Sequence, residues 1–203
     1  MQLFIQFFVV ILSGLYTSLW GAFKDCPYEG FKPKTFPRSI YFHLIIFGAL
    51  YVLPQFSLRV SALNLVELFF LVMGLERFIA EIYKGFFRTE DQRKYFVPSR
   101  ITFFGRYVYS DWLRYLVGMV IIFFVFVCLL IELPIHTFWG YLVVAYVSGC
   151  VVALGGAYKD APFEGFKPLK FQRSGTVLAM CSPFFYLMYK DAQPLSLGFL
   201  VYM

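Results

Sequence analysis

Two stretches gather most of the side chains that could do chemistry. Gly21-Ala22-Phe23-Lys24-Asp25-Cys26-Pro27-Tyr28-Glu29-Gly30-Phe31-Lys32-Pro33 recurs as Gly156-Ala157-Tyr158-Lys159-Asp160-Ala161-Pro162-Phe163-Glu164-Gly165-Phe166-Lys167-Pro168. Both run on to Phe-x-Arg-Ser, at Phe36–Ser39 and Phe171–Ser174, and 13 of the 19 positions from Gly21 to Ser39 are identical in the second copy. The offset is 135 (156 minus 21). Each copy offers two carboxylates, Asp25 with Glu29 and Asp160 with Glu164. Carboxylate oxygens at this density suit Mg²⁺ or another divalent cation, or a general base. Lys24, Arg38, Lys159 and Arg173 could hold a phosphate. Arg88, Arg93 and Arg100, with Glu90 and Asp91, add to the same chemistry. A metal bridging phosphate oxygens beside a proton-accepting carboxylate is the equipment for work on a phosphate-bearing lipid.

The same residues have a purely architectural reading. A Lys at a helix end complements the negative C-terminal dipole. Asp-x-Pro starts turns, and Glu-Gly-Phe can finish one while Phe31 and Phe166 return to an apolar layer. Duplication copies turns as faithfully as active sites, so both readings stand at this point.

The elements around these stretches are apolar. Of 203 residues 60% are hydrophobic, 22% aromatic and only 15% charged, with mean hydropathy +0.70. A soluble domain is nearer half apolar and a quarter charged, and here the excess falls in long runs, which reads as an all-α, polytopic helical membrane protein. The first run, Leu3 to Ala22, lacks the basic start and small-residue cleavage site of a signal peptide and reads as a retained span. Further helices are expected at about 40–53, 62–82, 112–133, 138–157 and 177–189, the last with Pro183 inside it. A partial further span begins at Leu195, and about six spans are expected. Gln55 to Ser61 reads as a connection. Glu67 reads either as a carboxylate facing other helices or as an interfacial residue on a helix that starts late. The nine residues from Leu195 are too few to cross a bilayer of about 30 Å, so the second repeat is expected to continue past Met203.

The chain divides into a first membrane repeat (1–83), a basic-aromatic interfacial segment (84–111), and a helix followed by the second repeat (112–203). Segments 24–38, 77–114 and 159–173 hold 16 of the 18 Lys and Arg. The positive-inside rule puts them in the cytoplasm and the N-terminus outside. Four spans separate the two copies, so the duplication is expected to be parallel, about an axis along the membrane normal.

The net charge of +6 therefore reads as orientation and attraction to anionic lipid, with no nucleic-acid partner. Three of the four cysteines, Cys128, Cys150 and Cys181, lie in apolar runs, and no C-x-x-C pairs them or Cys26, which argues against disulfides and zinc. His43 and His136 lack any ligand pattern. P-loop, G-x-G-x-x-G, H-E-x-x-H and G-x-S-x-G motifs are absent from the sequence. Three functions follow as expectations: an enzyme acting on a phosphate-bearing lipid or lipid-linked substrate, a non-catalytic subunit scaffolding a larger complex or homo-oligomer, and a two-repeat transporter or channel.

Overall fold

The computed structural model describes residues 2–91, 100–103, 106–133, 135–165, 167, 169–189 and 195–196; for some helical positions it describes the backbone alone. Among these the chain is mostly helical, with seven α-helices, a π-helical turn and four two-residue strands. It forms two compact units, Met1–Ala80 and Glu81–Tyr202.

The first unit holds α1 (Gln2–Glu29), α2 (Arg38–Val52), α3 (Pro54–Ala62) and most of α4 (Leu65–Ile82). Its apolar core includes Val10, Ile46, Phe47, Val60, Leu68 and Val72. Small polar residues let the helices close. Ser13 Oγ donates to Phe69 O (2.8 Å), and Gln6 Nε2 donates to Val60 O (3.2 Å). At Gly14 a Cβ would stand 2.6 Å from Ile40 Cα, so α1 and α2 meet backbone to backbone there.

Several boundaries differ from the sequence reading. The stretch expected to leave the helix at Lys24 stays helical to Glu29, with Pro27 inside the last turn. Pro27 has no N–H to offer the carbonyl of residue 23, so this last turn holds one hydrogen bond fewer and the helix ends two residues on. The stop comes at Gly30, whose φ of 70° only glycine adopts cheaply and whose N–H closes on Cys26 O (2.9 Å). The connection expected over Gln55–Ser61 is helix α3, entered through Pro54 at its first position. Glu67 proves to sit in the first turn of α4. Asn64 N–H donates to Glu67 Oε2 and Glu67 N–H to Asn64 Oδ1, both at 2.9 Å. This reciprocal pair is a capping box, and it accounts for the buried carboxylate.

The second unit begins with the π-helical turn Tyr83–Phe87 and the hairpin of β1 (Thr102–Phe103) and β2 (Arg106–Tyr107), paired Thr102 to Tyr107 and Phe103 to Arg106. Then come α5 (Asp111–Leu130), β3 (Glu132–Leu133), α6 (Phe138–Glu164), α7 (Leu169–Tyr189) and β4 (Leu195–Ser196). The π-helical turn seats on α5. A Cβ at Gly118 would come within 2.8 Å of Phe86 Cβ, and the Phe87 and Tyr115 rings stack at 5.6 Å. Helices α6 and α7 close on Gly149, where a Cβ would stand 2.5 Å from Ser174 O and 2.6 Å from Gly175 Cα. Pro183 lies inside α7, as expected. α7 begins at Leu169, eight residues ahead of the expected start at 177. Leu195 and Ser196, expected to open a helix, instead pair antiparallel with β3, which engages their backbone groups in a ladder; residues 197–203 lie outside the described ones.

Two described helical stretches, Gln2–Lys24 and Asp111–Leu130, are long and apolar enough to cross a membrane. The bent pair Arg38–Val52 and Phe56–Ala62 makes a third if it forms one span. The expected count of about six exceeds this. α4 carries Glu67, Glu76, Arg77 and Glu81, and the apolar stretch Phe138–Val151 is short for a span. α5 is the most lipid-like element: Trp112, Phe123 and Phe124 are exposed, while its buried residues form the narrow set Arg114, Gly118 and Cys128.

Candidate functional site

The repeated charged stretches share a local construction. α1 ends at Glu29 and α6 at Glu164, and each is followed by a glycine with positive φ, 70° at Gly30 and 71° at Gly165. Because the helices run further than expected, positions 25 and 29 lie four apart on helical backbone, as do 160 and 164, which places each pair on one helical face. The side chains of Asp25, Glu29, Lys159, Asp160 and Glu164 lie outside the described ones, so the metal and base roles expected of them have no geometry here. Among the described residues no group of three His, Cys, Asp or Glu is placed to hold a metal ion.

In the first stretch Lys24 is exposed near the end of α1, and Arg38 is exposed as the first residue of α2. Thr35 and Phe36 N–H both donate to Lys32 O (3.2 Å). Phe31, expected to return to the apolar layer, is exposed against Phe36, with ring centroids 5.7 Å apart. Phe166 lies outside the described residues. In the second stretch Arg173 is exposed on α7. The two stretches belong to different units.

The basic-aromatic segment supplies a better-defined constellation. Arg100 Nη2 reaches Asp111 Oδ1 at 3.2 Å, and Arg114 Nη2 bonds the same oxygen. Arg114 Nη1 also donates to Arg88 O (3.3 Å). Ser110 caps α5 by accepting from Leu113 N–H (3.4 Å), so this meeting of charges stands at the positive end of the helix. The Arg114 side chain is only 1% exposed. Its Nε, like that of Arg100, is buried without a hydrogen-bond partner. Tyr109 lies under the Arg100 guanidinium and Tyr115 under that of Arg114, each at 5.8 Å. Arg88 closes the π-helical turn through its N–H to Tyr83 O (2.8 Å). Arg93 lies outside the described residues. Of the arginines expected to bind substrate, Arg100 is thus placed in a charged cluster. Arg114 and Asp111 were missed, because a single Arg four residues into an apolar helix reads as an edge residue; its i, i+3 spacing from Asp111 was the available signal.

A second polar cluster lies inside the first unit. Ser39 Oγ donates to Glu76 Oε1 (3.1 Å), and His43 Nδ1 contacts Ser39 O at 2.7 Å. A carbonyl only accepts, so Nδ1 carries the hydrogen there. His43 Nε2, Glu76 Oε2, Thr17 Oγ1 and Ser18 Oγ are buried without hydrogen-bond partners, although Arg77 Nε stands 3.8 Å from Glu76 Oε2. His43 and Glu76 were missed as members of a cluster because 33 residues and two helix boundaries separate them.

No family model matches the chain, and neither a curated protein nor a solved structure is significantly similar to it.

Proposed function

We propose that the protein is a multi-pass membrane protein of two parallel repeats, crossing about six times, whose charged turns lie on the cytoplasmic face and act there on a phosphate-bearing lipid or lipid-linked substrate. One observation supports the duplication in this reading: the helix pairs that flank the two charged stretches meet at matching glycines. Gly149 and Gly175 follow Gly14 and Ile40 by the same 135 residues that separate the two motifs, and in both cases the earlier glycine brings two helix backbones together. The left-handed glycines Gly30 and Gly165 keep the same spacing. The unit of duplication in this reading is a helical hairpin whose first helix ends on Lys-Asp-x-Pro-x-Glu and turns back after the glycine. Exposed Lys24, Arg38 and Arg173 give that turn its affinity for phosphate. Asp25, Glu29, Asp160 and Glu164 supply a base or hold Mg²⁺.

The test is lipid mass spectrometry on proteoliposomes containing phosphate-bearing lipids and Mg²⁺. The wild type is expected to alter one lipid class chemically, and Asp160→Asn to abolish the change while thermal unfolding stays the same. A wild type that alters none would leave the scaffold subunit as the better account.

Half-buried Ser39 with buried His43 and Glu76 favours a second reading, a two-repeat transporter or channel, because polar groups inside a membrane bundle often mark a path for ions or protons.

A further inference from the structure

We infer that Arg100 and Arg114 form a seat for a phosphate group at the membrane end of α5, and that Asp111 occupies it when no ligand is bound. Two guanidinium groups converge on one carboxylate oxygen, so the three side chains together carry a surplus positive charge. The first turn of α5 adds its own positive end. Two further N–H groups, Nε of Arg100 and Nε of Arg114, are buried with no acceptor. Leaving such charged donors unmet is costly, and a group with more acceptor oxygens than a carboxylate removes that cost. A phosphate monoester has three terminal oxygens and a charge of about −1.5 to −2. The Asp111 side chain is 60% exposed, whereas Arg114 is held by Arg88 O and by its burial. Asp111 can therefore rotate into water while the arginines stay, which makes it a placeholder.

The surroundings of the seat suit a lipid head group. Exposed Tyr109 and Trp112 flank it, and exposed apolar side chains continue along α5 from Leu113; Tyr and Trp take this position at bilayer interfaces. The ligand class is that of the function proposed above, but the seat uses none of the residues of the paired turns, so the two proposals can fail separately.

The test uses the full chain in nanodiscs with two arms. One arm measures retention of phosphatidic acid against phosphatidylcholine by native mass spectrometry. The other titrates inorganic phosphate into phosphatidylcholine nanodiscs, followed by ³¹P NMR. The proposal expects Arg100→Gln to weaken phosphatidic acid retention about tenfold, the loss of one charge-assisted pair. It expects Asp111→Asn to strengthen retention several-fold, because the competing carboxylate is neutralised. Arg59→Gln, on α3 and outside both the seat and the paired turns, should leave retention unchanged. Binding in the phosphate arm alone would assign the seat to a free phosphate instead of a lipid. If Asp111→Asn weakens retention, or Arg100→Gln leaves both arms unchanged, the three residues are an architectural clamp and the proposal is overturned.

Discussion

Asn64 and Glu67 show how a charged residue can be placed in an apolar chain for structural reasons alone. The capping box satisfies two backbone N–H groups that the start of α4 would otherwise leave open. Replacing Asn64 with Ala is expected to cost about 1 kcal/mol, read as a lower unfolding temperature in detergent micelles. Ser39 is a different case. Its hydroxyl is the hydrogen-bond donor to a carboxylate that is otherwise poorly met. Ser39→Ala should destabilise the first unit by about 1–3 kcal/mol, the range for stranding a buried polar group. An unfolding temperature equal to the wild type's would mean that Glu76 finds another donor.

At the scale of elements, glycine decides where helices meet and where they stop. Gly14→Val and Gly149→Val each push a side chain into the backbone of a neighbouring helix. Each should cost about 1–3 kcal/mol in thermal unfolding, more if the helices part. Gly21→Ala is the control: a Cβ there meets nothing within 4 Å, so the better helix former should leave stability equal or slightly higher. Gly30→Ala should lose about 1–2 kcal/mol, because φ of 70° crowds a Cβ. Much of this level was legible in the sequence. Apolar runs located α1, α2, α4, α5, α6 and α7 to within a few residues at most ends, since burial or lipid contact needs an apolar helix of that length. The misses have physical reasons. The stretch expected to turn at Asp25-Cys26-Pro27 stays helical for two residues past the proline, and the connection expected over Gln55–Ser61 is helix α3, whose first position Pro54 can take because no N–H is needed there. The apolar character of Leu195–Ser196 points to helix, but their pairing depends on β3, more than sixty residues away. The site was less legible than the fold. Arg100 could be picked from a run of charges, whereas Arg114, Ser39, His43 and Glu76 matter through partners that only folding brings close.

For the whole molecule, the proposed function requires two copies of one membrane hairpin that deliver both charged turns to the cytoplasm. The positive-inside rule supports a common face, because segments 24–38, 77–114 and 159–173 hold 16 of the 18 Lys and Arg and the alternating connections hold only Arg59 and Lys190. Single cysteines replacing Lys34 and Lys167, exposed positions at equivalent turns, test it in a background where Cys26, Cys128, Cys150 and Cys181 are replaced by Ala. A membrane-impermeant maleimide should fail to label either cysteine in intact cells and should label both in inverted vesicles. Labelling of one turn from outside and the other from inside would contradict the parallel duplication and, with it, the proposed cytoplasmic-face function.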